Sequence, residues 1–297
     1  MKIKNVIICG LGALGLTYAN KLKNICNLKI LANKERIENY KKKIPSLNGQ
    51  NILLDYITPS ERFKTDLIII TVKSTGLDSA IEYLKNFVSE NTIIISLVNG
   101  ISSEEIISKA YPNAKTLRSY FIGHSAMGVN IDGEKKYFQD GIGKIVFEPN
   151  SKLENFFKTN KIDHEISDNI LYSQWIKLGV NIILNEPSAI YKCNVGELRK
   201  KDNYLSLAKN LLSEVEQIAL ASGMKTDKNY INTVLESANL IADDGKTSMY
   251  QDVISKRKTE VEIFSGEIIR LGKKFGINTP YNIDIYNKIK DIEKEFV

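Results

Sequence analysis

Three polar residues stand four apart in an otherwise apolar run from Trp175 to Asn185: Lys177, Asn181 and Asn185. On a helix, at ~100° per residue, steps of four drift by only ~40°, so the three form one stripe about 12 Å long. Burying a lysine and two amides is costly unless each finds a partner. A polar stripe on an apolar helix therefore points to a cleft. There a partly desolvated lysine can donate a proton and the amides can hydrogen-bond a ligand. The other reading is a snorkelling lysine with two amides capping nearby loops. Further on, Thr247 to Asp252 and then Lys258 to Glu260 bring a hydroxyl at Ser248 and a carboxylate at Glu260. Ser248 equally fits a helix cap, and Glu260 a helix-start acid.

A different chemistry is written near the N-terminus. Gly10, Leu11, Gly12, Ala13, Leu14 and Gly15 form a GxGxxG motif directly after the apolar strand Val6 to Cys9 and at the opening of a helical stretch. The first glycine serves the tight turn, the second a close approach by pyrophosphate, and the third the packing of helix on strand. Free N–H groups at the helix start attract the phosphates. A structural glycine turn is the alternative.

About twenty residues on, where an NAD enzyme places an acid for the ribose hydroxyls, the second strand ends in Asn33. Lys34 and Arg36 could pair with a 2′-phosphate that an acid would repel, which favours NADP; plain surface charge is the other reading of the two. Lys73 and Asn99-Gly100 follow two further apolar strands, at the ends where open α/β sheets take ligands, with a plain turn dipeptide the other reading of Asn99-Gly100. The only two histidines, His124 and His164, have no partner at metal-ligand spacing, and structural or surface roles fit both. Cys9, Cys26 and Cys193 show neither disulfide nor zinc spacing, and no export signal stands at the start, so a cytoplasmic protein is expected.

These residues need a scaffold of two kinds. The first half alternates short apolar strands with helices: Val6 to Cys9, Leu28 to Ala32, Leu67 to Val72 and Ile93 to Val98, with helices from about Ala13 and around Leu77 to Phe87. That predicts a Rossmann-type parallel sheet covered on both faces. The glycine- and aromatic-rich span from Arg118 to Phe147 predicts further strands. Beyond about Asp163 the period becomes helical, with Trp175 to Leu184, Tyr204 to Ser222, Tyr230 to Ala242 and Val261 to Phe275 as helices. The expected class is α/β, with a cofactor domain over 1–165 and an all-α substrate domain over 166–297. A length of 297 residues suits two cores, and a net charge of +6 suits small anions at least as well as nucleic acid. The longest apolar runs are far short of a membrane helix.

Together the residues resemble the ketopantoate reductase family over essentially the whole chain. The resemblance rests on the glycine motif, Val72-Lys73, Asn99-Gly100, the WxKxxxNxxxN pattern from Trp175 to Asn185, Ser248-Met249 with Gln251-Asp252, Thr259-Glu260, and Gly276 to Pro280. It implies NADPH-dependent reduction of 2-dehydropantoate (ketopantoate) to pantoate, on the route to pantothenate and coenzyme A. By the same resemblance Lys177 is the general acid, Glu260 binds and orients substrate, and Asn181, Asn185 and Ser248 bind it. Lys73 and Asn99 line the cofactor and substrate sites. The expected partners are a small 2-oxo acid and, at most, a second copy of the chain, with no nucleic acid or membrane. Two departures stand out: Asn33 where the family usually has arginine, and Glu186 between Asn185 and Pro187, where proline commonly follows directly. The rivals are a reductase for another 2-oxo acid and a non-catalytic NADP-binding regulator, which would have no use for a buried proton donor.

Overall fold

The computed structural model describes residues 2–123, 127–131, 134–138, 143–225 and 229–296. Two compact units divide the chain, Met1–Ile170 and Leu171–Val297. The first runs β1 (Asn5–Cys9), α1 (Ala13–Leu22), β2 (Asn27–Leu31), α2 (Lys34–Lys42), β3 (Ser46–Leu47), β4 (Gln50–Asn51), β5 (Tyr56–Ile57), β6 (Leu67–Ile70), α3 (Leu77–Leu84), β7 (Ile93–Ser96), α4 (Ser103–Ala110) and β8 (Lys115–Leu117). It continues with β9 (Ser119–Gly123), β10 (Met127–Ile131), β11 (Glu134–Phe138), β12 (Gly143–Phe147), α5 (Ser151–Thr159) and β13 (His164–Ile166).

Its main sheet has the order β5-β2-β1-β6-β7-β8, and every pairing in it is parallel. The chain leaves β1 toward β2 on one side and later returns to pair β6 on the other. The strand order therefore reverses between β1 and β6, where such sheets open a crevice. Side chains alternate across the sheet. Val6, Ile8, Leu67 and Ile69 pack with Leu16 and Leu22 of α1 and Phe157 of α5. Ile7, Cys9, Ile68 and Ile70 pack with Leu77 and Leu84 of α3 and Ile107 of α4. Both faces are buried, which is why β6 and β7 read as unbroken apolar runs instead of alternating ones. The span expected to add strands supplies β9 to β12, which join β3, β4 and β13 in two smaller sheets, β10-β11-β3-β4 and β13-β12-β9.

The second unit is helical: α6 (Ile170–Tyr191), α7 (Val195–Arg199), α8 (Tyr204–Ala221), α9 (Tyr230–Asn239), α10 (Ser248–Ile254), a 3₁₀ turn (Val261–Ile263), α11 (Ser265–Phe275) and α12 (Pro280–Lys294). Two expectations need correction. The stripe helix is longer than Trp175 to Leu184 and runs on through Pro187, whose ring removes only one turn's hydrogen bond. The single helix expected over Val261 to Phe275 is a 3₁₀ turn and a separate helix, broken at Phe264 with φ −107° and ψ −106°. The new helix can start there because its first residue, Ser265, is met by a carboxylate from α6: Glu186 Oε1 accepts from Ser265 N–H (3.1 Å) and from its hydroxyl (2.7 Å). Glu214 of α8 does the same for α12, accepting from the N–H groups of Tyr281 and Asn282. Gly276 closes α11 in the left-handed region, φ +70°.

Candidate active site

In the first unit the glycine turn lies at the carboxyl end of β1, beside the strand reversal. Gly10 has φ +105°, and a Cβ there would stand 2.7 Å from Val72 N. A Cβ on Gly15 would stand 2.0 Å from the Gly10 carbonyl oxygen. Gly12 is different: its backbone angles suit any residue, and a Cβ would meet nothing within 4 Å. Two glycines are thus required by packing, while the middle one keeps open space over the start of α1. Such an opening fits a diphosphate laid on the helix N-terminus. Thr71, just past β6, fixes the turn by donating its hydroxyl to the Gly10 carbonyl at 2.7 Å. Leu11 turns its side chain into the core, and Ala13 and Leu14 pack against the same cluster, so the motif faces outward with its backbone.

Asn33 caps α2: its Oδ1 accepts from Arg36 N–H at 2.9 Å. Lys34 and Arg36 are exposed on the first turn that this cap creates. Burial pushes the Cys9 thiol, at the end of β1, up to about 12, with the Arg36 guanidinium pulling the other way. Lys73 follows β6 at the head of a 3₁₀ turn (Ser74–Gly76), and Asn99 follows β7 ahead of Gly100, φ +92°. The residues expected at the cofactor therefore stand at the carboxyl ends of four neighbouring strands, β2, β1, β6 and β7. His164 stacks on Phe147 and takes part in a 2.7 Å hydrogen bond with the Ile162 carbonyl, a packing role. His124 lies outside the described residues.

In the second unit Lys177, Asn181 and Asn185 are half-buried along one face of α6, while Trp175, Leu178, Ile182 and Leu184 are buried. Gly179, about 200° round the helix from Lys177, explains the direction of that face. A Cβ there would lie 2.7 Å from the Tyr230 hydroxyl oxygen and 2.9 Å from Val234, so α9 presses on the side opposite the stripe. Tyr230 completes the contact by donating to the Trp175 carbonyl at 2.8 Å.

Asn185 Nδ2 donates to both Asn181 Oδ1 and Ser248 Oγ, each at 3.4 Å. These long bonds leave the amides easy to redirect toward a ligand. Thr247, and not Ser248, caps α10, accepting from Tyr250 N–H at 3.3 Å. Its hydroxyl also meets Ser188 Oγ of α6 at 2.6 Å, which fastens Ser248 beside the stripe. Glu260 is half-buried at the head of the 3₁₀ turn. Glu293 of α12 holds its neighbour Thr259, Oε1 accepting from the Thr259 N–H (2.8 Å) and hydroxyl (2.7 Å). Burial works against ionisation of Glu293, yet hydrogen bonds from Lys290 and Thr259 hold its carboxyl below the ordinary range. On the other side of Glu260, Ser265 is held by Glu186, whose carboxyl burial pushes up to about 8.

The structure thus joins Asn181, Asn185 and Ser248 by hydrogen bonds, places Lys177 on the same face, and ties the Glu260 segment to the same helix through Glu186. Thr71, Ser188 and Glu293 escaped the sequence reading, and Glu186 stood out there only as a departure before Pro187, since nothing in their spacing marks a residue that acts on a distant segment. Among the described residues no group of three or more His, Cys, Asp or Glu side chains is placed to hold a metal.

Two family descriptions match the chain in tandem: Ketopantoate reductase PanE/ApbA over residues 6–152 and Ketopantoate reductase PanE/ApbA C terminal over 169–293. A 2-dehydropantoate 2-reductase of Streptococcus pyogenes serotype M6 is 24% identical over 93% of this chain and 94% of its own. Its counterpart in Pyrococcus horikoshii is 26% identical over 96% of each. A D-mandelate dehydrogenase solved with NADH and anilino(oxo)acetate shares the fold with a TM-score of 0.86, 23% identity, and coverage of 98% of this chain and 99% of that one.

Proposed function

We propose that this chain, which belongs to the ketopantoate reductase family, reduces 2-dehydropantoate to pantoate with NADPH, the step that feeds pantothenate and coenzyme A synthesis. The observation that carries this reading is the hydrogen-bonded run of Asn181 and Asn185, on the face of α6 that also bears Lys177, with Ser248 of α10 beside them. A ligand with a carboxylate, a ketone and a hydroxyl needs a row of neutral hydrogen-bonding groups with one proton donor, and that row offers them. Gly12 and the start of α1 would hold the diphosphate, and Lys34 with Arg36 the 2′-phosphate. Lys73 and Asn99 are assigned to the cofactor end, and Asn99 also to the substrate.

A dinucleotide held at the first unit would supply the hydride for the 2-oxo carbon. Lys177 gives its Nζ proton to the ketone oxygen, which becomes the new hydroxyl. Asn181, Asn185 and Ser248 orient the carboxylate and the existing hydroxyl, and Glu260 accepts from that hydroxyl or steadies Lys177. A second reading, reduction of another 2-oxo acid, is favoured by the likeness to D-mandelate dehydrogenase and by Glu186 at the end of the stripe.

NADPH oxidation against aliphatic, hydroxyl-bearing and aromatic 2-oxo acids decides between them. The highest kcat/KM is expected with 2-dehydropantoate. A higher value with an aromatic acid would establish the second reading, and no turnover with any of them would leave a non-catalytic nucleotide-binding protein.

A further inference from the structure

Glu186 carries an anomaly that the reaction scheme does not use. It is 0% exposed, one oxygen takes both bonds from Ser265, and its other oxygen, Oε2, is buried without a hydrogen-bond partner. Leaving a buried carboxyl oxygen unpaired is costly. Glu214, the equivalent cap on α12, differs in having both oxygens paired: Oε1 with Tyr281 N–H, and Oε2 with the N–H and side-chain amide of Asn282. A cap alone therefore explains Glu214 better than it explains Glu186.

Position supplies the missing reason. Glu186 follows Asn185 in sequence, and its partner Ser265 comes five residues after Glu260, across one 3₁₀ turn and the buried Phe264. The segment bearing Glu260 is held at its front by Glu293 through Thr259, which ties it to α12. At its back it is held by Glu186 through Ser265, which ties it to α6. Of these two clamps, only that of Glu186 links the segment to the helix carrying the polar stripe.

We propose that Glu186 is a positioning residue, holding the Glu260 segment in register with Asn181 and Asn185 so that both can meet one substrate. The proposal rests on the reductase reading given above. A side chain placed wrongly by about an ångström loses much of its effect on the reaction, so the role shows in turnover more than in folding.

The test is steady-state kinetics on Glu186→Ala and Glu186→Gln with NADPH and the best 2-oxo acid of the wild type, beside fluorescence titration of NADPH and thermal unfolding. Glu186→Ala is expected to lose about tenfold or more in kcat/KM for the 2-oxo acid with NADPH affinity unchanged. Glu186→Gln, whose amide oxygen can accept both Ser265 bonds, is expected to recover most of that loss. Ser265→Ala, which keeps the N–H and removes only the hydroxyl, should shift kcat/KM the same way by less, and it decides the matter if Glu186→Ala does not fold. Lowered melting temperature with wild-type kcat/KM in Glu186→Ala, or in Ser265→Ala where that variant decides, would overturn the proposal and leave the reductase reading standing. A wild type inactive on every 2-oxo acid would overturn both.

Discussion

The three glycines of the turn after β1 have separable duties. Gly15→Ala places a Cβ 2.0 Å from a backbone oxygen, so a large fall in melting temperature is expected whether or not nucleotide is present. Gly12→Ala meets nothing within 4 Å and should fold like the wild type, yet lose about tenfold or more in NADPH affinity because the methyl would occupy the space proposed for the diphosphate. Thermal unfolding and fluorescence titration on the two variants check this, and equal loss of stability in both would remove the distinction. Arg36 stands exposed on the first turn of α2. Arg36→Ala should raise the KM for NADPH about tenfold while leaving that for NADH nearly unchanged, the worth of one exposed charge-assisted contact. The motif itself was legible because two of its glycines answer a local demand of turn or packing, with the middle one leaving open space between them. The capping bond of Asn33 was not, since the same residue type serves a cap or a ligand equally well.

The elements succeed or fail as packed faces. Gly179 costs α6 about 1 kcal/mol of helix propensity against alanine, and it is there because α9 crosses close on the side opposite the stripe. Gly179→Ala should nevertheless destabilise the protein by about 1 to 3 kcal/mol, since a Cβ would press on Val234 and the Tyr230 hydroxyl. Denaturant unfolding would check it, and a stabilised variant would mean that α9 yields. The 3.6-residue period of α6 was readable because its apolar positions recur without interruption. Its last two turns were not, because Pro187 reads locally as a stop while packing holds the helix past it. The break at Phe264 was hidden for the same kind of reason: a helix start normally carries its own cap in sequence, and Ser265 takes its cap from a residue 79 positions away.

For the molecule as a whole, the buried Glu186 makes stability depend on pH. Its carboxyl is raised to about 8 in the fold, against about 4.3 in an unfolded chain, so between those values the folded state holds a proton that the unfolded state has released. That contribution is fully present below about 4.3 and is lost as pH rises toward about 8, with a slope of at most ~1.4 kcal/mol per pH unit. Glu186→Gln cannot ionise, so its melting temperature relative to wild type should climb between pH 5 and 8; a constant difference would mean that Glu186 does not titrate there. The two-part plan of the chain was legible from the change from short, unbroken apolar strands alternating with helices to a sustained 3.6-residue period. A candidate site was legible only where polar residues interrupt an apolar helix, as Lys177, Asn181 and Asn185 do. The central claim is that this interruption is a proton-donating substrate site. It is tested most directly by measuring kcat for 2-dehydropantoate and NADPH affinity side by side in Lys177→Ala. A fall in kcat of ~10² to 10⁴ with NADPH affinity unchanged is the predicted result; turnover near that of the wild type would contradict it.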